Sequence, residues 1–129
     1  MADRQEFIDL ILDHYDHPRN RAAMVDADAV ARGGNAGCGD VVTMYLRLAA
    51  GDRLTAVTFE GEGCTISQAA ASIVAEKAVG KTLIELAEMN VEWIVDEMGR
   101  DVVASRTRCA ALALSTLKAA GERYRVARP

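Results

Sequence analysis

The sequence has few aromatic residues and prolines and no long apolar run, and each shortage excludes a class of protein. Its 129 residues include two prolines, one tryptophan, three tyrosines and two phenylalanines, so alanine and aliphatic residues must form most of the core. No stretch approaches the roughly 18 apolar residues that a membrane-spanning helix needs. Residues 1–6 are charged and lack the apolar segment of a signal peptide. We therefore expect a cytoplasmic protein with no membrane partner.

The sequence also lacks an excess of basic residues. Its formal net charge is −4 and its isoelectric point is about 5.1. Proteins that bind nucleic acid usually present a strongly basic face to the phosphates. We therefore expect no nucleic-acid partner.

Cysteine is scarce, and the three cysteines form no C-x-x-C pair. An odd number would leave one cysteine outside a closed set of disulfides, and cytoplasmic thiols stay reduced. The three cysteines therefore need an explanation other than disulfide bonding.

The periodicity of apolar residues predicts an α+β fold, built as one domain over residues 1–129 with a small antiparallel sheet of about three strands packed by several helices. We predict a first helix over residues 3–14, capped by Asp3 and ended near Pro18. Alternating residues predict a hairpin of strands 41–48 and 54–60, with a short edge strand near 28–32. Further helices are predicted over residues 65–79, 82–88, 91–98 and 106–120. Helix 82–88 should end before Asn90, helix 91–98 at Gly99 and helix 106–120 at Gly121. A narrow alanine-rich stripe of helix 65–79 should be buried.

Each cysteine lies at the boundary of a predicted element. Cys38 lies in a glycine-rich loop, whereas Cys64 and Cys109 lie at helix starts. The positive end of a helix favours the thiolate, which is the form that binds metal or attacks sulfur. Arg106 and Arg108 should support the thiolate of Cys109. Asp40 can add a carboxylate oxygen to the same centre.

Simpler interpretations exist for these and other polar residues. A lone cysteine is often a small buried hydrophobic residue. For His14 and His17, helix capping and packing are favoured over metal binding. Ser67 and Ser72 have no evident histidine or aspartate partner, so we do not expect serine catalysis.

The sequence around the cysteines resembles the NifU N-terminal family, which includes the IscU and SufU iron–sulfur assembly proteins. The resemblance lies in Asn35-Ala36-Gly37-Cys38-Gly39-Asp40, Gly61-Glu62-Gly63-Cys64-Thr65-Ile66-Ser67, Arg106-Thr107-Arg108-Cys109-Ala110 and His14-Tyr15-Asp16-His17-Pro18-Arg19-Asn20. It implies a SufE/NifU-like fold whose site residues are Cys38, Asp40, Cys64 and Cys109. It further implies that the site holds zinc or assembles a [2Fe–2S] cluster, with a cysteine desulfurase as sulfur donor and apo iron–sulfur proteins as acceptors.

The subtype within the family is mixed. Arg108 occupies the place of an IscU histidine, and residues 103–107 replace the IscU chaperone motif, as in SufU. The short spacing between Cys64 and Cys109 is instead typical of IscU.

Three functions therefore stay open from the sequence. The first is a scaffold that binds iron or zinc and builds a cluster. The second is a zinc-dependent sulfurtransferase that accepts persulfide sulfur from a desulfurase, with Cys38 as the candidate acceptor because its flanking glycines allow it to move. The third is a thiol redox enzyme, which would form a disulfide and bind no metal.

Overall fold

The structure is a computed structural model that describes residues 3–35 and 39–127. Its helices and strands are, in chain order, α1 (Arg4–Asp16), β1 (Ala29–Asn35), β2 (Asp40–Ala49), β3 (Arg53–Glu62), α2 (Thr65–Ala78), α3 (Leu83–Glu88), α4 (Glu92–Met98) and α5 (Thr107–Ala127). A turn of 3₁₀ helix, Ala104–Arg106, leads into α5. The α+β prediction is confirmed.

The three strands form one antiparallel sheet in the order β1-β2-β3. Met44 and Leu46 of β2 and Val57 and Phe59 of β3 are buried on one face, as the alternation predicts. Helix α5 packs on β1 and β2, and α2 packs on β3, so these two helices cover that face. The starts of β2, α2 and α5 thereby meet at one end of the molecule.

Helix α2 is buried on more sides than the sequence predicts. It contacts α1, α5 and β3 together, and Ala71 and Ala75 are buried along with the predicted stripe. Ile66, which we placed in that stripe, is half-buried. Alanines allow this close packing because they add little volume between neighbouring elements.

Two predicted boundaries are wrong. Strand β1 continues to Asn35, because its glycines pair with β2 despite their low strand propensity. Helix α5 continues past Gly121 to Ala127. A Cβ at Gly121 would lie 3.2 Å from Leu86 and 3.3 Å from Leu83, so this glycine allows close packing of α3 and does not end the helix.

The first helix is fixed at both ends. Asp3 accepts the backbone N–H of Glu6, as predicted for a helix cap, and His17 caps the other end through its own N–H. Among the described residues, no helix is both long enough and apolar enough to cross a membrane.

Contrary to our expectation, Ser72 has a histidine partner. Ser72 Oγ lies 2.8 Å from His14 Nδ1 and accepts the backbone N–H of Arg19, also at 2.8 Å. Burial is the largest cause that lowers the pKa of His14, which favours the neutral ring, and the tautomer of that ring decides which of the two groups donates. Its pKa is also affected by charges on Arg19, Glu76, Asp13 and Lys77. Both side chains are buried, so the pair is structural and out of reach of a substrate.

Candidate metal centre

Three potential ligands converge where β2, α2 and α5 begin. One carboxylate oxygen of Asp40 and the sulfurs of Cys64 and Cys109 all lie within 4.8 Å of one another. Asp40 is the first residue of β2, Cys64 caps α2, and Cys109 lies in the first turn of α5. The two cysteines are thus at helix starts, as the sequence predicts. Cys38, the fourth predicted ligand, lies outside the described residues.

The spacing of these atoms fits a metal ion bound by sulfur and oxygen. In a tetrahedral zinc site with Zn–S bonds of about 2.3 Å, neighbouring ligand atoms are roughly 3.5–4 Å apart. Cys64 Sγ lies 3.8 Å from Asp40 Oδ2. Asp40 and Cys109 are buried and Cys64 is half-buried, so water has limited access to the ligand atoms. Two thiolates and a carboxylate suit zinc or an iron–sulfur cluster, and the residues present therefore fit either group.

Asp40 is oriented by the backbone of α2. Its Oδ1 atom accepts the backbone N–H of Cys64 at 2.9 Å, and the Cys64 side chain makes no capping bond of its own. Ser67 Oγ in turn donates to the carbonyl oxygen of Cys64 at 3.0 Å. The start of α2 is therefore tied to the start of β2 through the carboxylate.

Positive charge next to the sulfurs comes from Arg106. The pKa of Arg106 is raised above its usual value. The largest cause is a hydrogen bond to Cys109, and the charges of Cys64 and Cys109 contribute less. Arg106 thus places a positive charge beside both sulfurs. Arg108 is exposed and takes no part in these contacts within the described part of the chain, so its supporting role stays a prediction.

Asn35 and Gly63 also belong to this region, although the sequence pattern predicts no separate role for them. The side-chain amide of Asn35 donates to Cys109 Sγ at 3.8 Å, and Asn35 pairs with Asp40 where β1 and β2 meet. Gly63 directly precedes Cys64 and has φ +150. Both residues lie in the quoted cysteine motifs, which was the available signal.

The cysteines and their surroundings also match known proteins. A sequence model of the NifU-like N terminal domain matches residues 6–128. The chain belongs to this family. It is 31% identical to the iron–sulfur cluster assembly scaffold protein IscU 1 of Archaeoglobus fulgidus, over 88% of this chain and 73% of that protein.

Two further comparisons involve SufU proteins. The chain is 39% identical to the zinc-dependent sulfurtransferase SufU of Bacillus subtilis, over 57% of this chain and 49% of that protein. Its structure is similar to a crystal structure from Fervidobacterium islandicum, described as an iron–sulfur cluster assembly scaffold for the SUF system. The TM-score is 0.74 at 29% identity, covering 87% of this chain and 93% of the other. The family predicted from the motifs is thus confirmed, as is the fold.

Proposed function

We propose that the protein is an iron–sulfur cluster assembly scaffold that holds its cargo on Cys38, Asp40, Cys64 and Cys109. The observation that carries this proposal is the convergence of a buried carboxylate oxygen and two cysteine sulfurs within 4.8 Å. The similarity to the IscU scaffold of Archaeoglobus fulgidus supports the same function. In this proposal iron and sulfide are substrates, and a [2Fe–2S] cluster is the product that leaves.

The ligand set suits temporary binding of a cluster. Thiolates bind iron strongly, whereas a carboxylate is a harder ligand that is exchanged more readily. Asp40 is then the ligand at which a departing cluster is released first. Arg106 provides a positive charge beside the sulfurs that would hold the cargo.

A second candidate is a zinc-dependent sulfurtransferase, favoured by the contact of Arg106 with Cys109 and by the similarity to SufU. Zinc would be held by the same four side chains and would keep their sulfurs deprotonated. In the transfer step the Cys38 thiolate attacks the terminal sulfur of a desulfurase persulfide. A sulfur–sulfur bond forms on Cys38, the one on the desulfurase breaks, and the desulfurase cysteine leaves as a thiolate.

Both candidates require the same partners. We propose that a cysteine desulfurase supplies the sulfur and that apo iron–sulfur proteins receive the product. We also propose a cytoplasmic location, where cysteines stay reduced, and one functional domain over residues 1–129.

Metal content and cluster transfer distinguish the two candidates. The purified protein is analysed for zinc and iron by mass spectrometry, then incubated with iron, cysteine and a desulfurase while its visible spectrum is recorded. A scaffold develops [2Fe–2S] absorbance and passes it to an apo-ferredoxin. A sulfurtransferase retains one zinc per chain and increases desulfurase turnover without developing cluster absorbance. A protein that does neither would contradict both proposals.

A further inference from the structure

Gly63 lies against the Asp40 carboxylate at the point where a side chain would collide with it. A Cβ at Gly63 would lie 2.2 Å from Asp40 Oδ1 and 2.8 Å from Asp40 Cγ. It would also lie 2.8 Å from Ser67 Oγ, on the first turn of α2. Real Cβ contacts are essentially never shorter than 3.0 Å. Any side chain at this position must therefore displace the carboxylate, Ser67 or both.

The two oxygens of the Asp40 carboxylate have different partners. Oδ1 lies under the glycine and accepts the Cys64 N–H at 2.9 Å. Oδ2 is the atom that lies 3.8 Å from Cys64 Sγ. One oxygen is thus used to fix the carboxylate on the backbone, and the other is directed toward the proposed metal.

We propose that Gly63 is a positioning residue of the metal site, because its missing side chain allows Asp40 to bind the Cys64 amide through Oδ1 and to offer Oδ2 as a single-oxygen ligand. This inference rests on the proposed metal site. It adds that Asp40 stays attached to α2 when Oδ2 leaves the metal. The carboxylate can then release a cluster and return without a rearrangement of the loop between β3 and α2.

A double-mutant cycle tests the coupling of the two residues. Zinc affinity is measured by chelator competition for the wild type, Gly63→Ala, Asp40→Ala and the double variant. Gly63→Ala should weaken zinc binding at least tenfold in the presence of Asp40 and less than threefold in the Asp40→Ala background, since the colliding carboxylate is then absent. Cobalt(II) spectra of the same variants should show that Gly63→Ala and Asp40→Ala change the ligand-field bands in the same way.

The strain of a side chain at positive φ needs its own control. Gly80 has φ +94, and a Cβ there would meet no atom within 4 Å. Gly80→Ala should therefore lower the melting temperature through backbone strain alone and leave zinc affinity unchanged.

The metal-free protein supplies a second, independent readout. Asp40→Asn keeps an oxygen that can accept the Cys64 N–H, so its apo melting temperature should stay near that of the wild type. Asp40→Ala leaves this N–H without its partner and should lower the apo melting temperature by about 4 °C. Both variants should lose zinc affinity.

Several results would overturn the inference. They are wild-type zinc affinity in Gly63→Ala, an equal loss in both Asp40 backgrounds, or equal apo melting temperatures for Asp40→Asn and Asp40→Ala. If Gly63→Ala does not fold, the comparison of Asp40→Asn with Asp40→Ala decides the outcome. A wild-type protein that binds neither zinc nor cobalt would instead contradict the proposed function. The apo melting temperatures would still test whether Asp40 accepts the Cys64 N–H.

Discussion

Replacing Ser72 with alanine should destabilise the protein by about 2–3 kcal/mol. The Ser72 hydroxyl joins α2 to α1 and to the segment after it, because it contacts His14 Nδ1 and the backbone N–H of Arg19, each at 2.8 Å. Alanine removes the oxygen from both partners at once. His14 is 4% exposed, so its ring nitrogen cannot readily find water instead.

The magnitude follows from the two groups left unsatisfied. A buried polar group that loses its partner costs about 1–3 kcal/mol, which gives about 2–6 kcal/mol for the pair. Arg19 is only half-buried, so water reaches its N–H in part and the lower half of that range applies. Alanine recovers about 0.5 kcal/mol through its higher helix propensity. For a chain of this length, the net loss corresponds to a melting temperature lower by roughly 10 °C.

The assay is urea unfolding followed by circular dichroism at pH 7.5, with Ser115→Ala as the matched control. Ser115 lies on α5 and is exposed, so the same substitution there should change the free energy of unfolding by less than about 0.5 kcal/mol. Typical surface substitutions change the free energy of unfolding by up to about 0.5 kcal/mol. The reasoning is refuted if Ser72→Ala and Ser115→Ala differ in this free energy by no more than that amount.

Three further predictions concern protons, metal and sulfur. The pKa of His14 is lowered from 6.5 in the folded protein, so the unfolded chain binds the proton more readily and the free energy of unfolding should fall as the pH drops below about 6.5. His14→Gln should reduce this dependence of stability on pH, measured by urea titrations from pH 7.5 to 5.5. An unchanged dependence would contradict the assignment. Zinc at about 100 times its dissociation constant should add about 2.7 kcal/mol of stability, which should raise the melting temperature until a chelator is added. Equal melting curves with and without bound zinc would show that zinc binding does not stabilise the fold. Cys38→Ser should abolish stimulation of a desulfurase yet retain much of the zinc, whereas Cys64→Ser and Cys109→Ser should lose both. Full stimulation by Cys38→Ser would favour the pure scaffold.

The hairpin and most helices could be predicted because their signals are local. Strand β2 alternates over most of its length, and Asp3 and Gly99 mark helix ends where expected. Gly121 was misleading because the same residue type either ends a helix or allows a neighbouring helix to approach. Only the contact with Leu83 and Leu86 distinguishes the two, and that contact is not local.

The site was predictable in its residue types and less so in its geometry. Cys64 and Cys109 could be placed at helix starts from the flanking sequence, and Asp40 was a candidate from its place two residues after Cys38. The sequence could not show that Arg106 contacts the sulfurs of Cys64 and Cys109, because the turn before α5 sets its direction. It also could not show that Ser72 faces His14, since the two residues are 58 positions apart and only the packing of α1 on α2 brings them together.

The convergence of three element starts has a consequence for how the protein matures. Asp40, Cys64 and Cys109 come from well-separated parts of the chain, and Cys109 enters the site only when α5 has docked on the sheet. In the proposed function, a ribosome-bound or truncated chain without α5 would offer an incomplete ligand set. Cargo would then be loaded only after the last helix is in place, and an unfinished chain would not capture iron during its own synthesis.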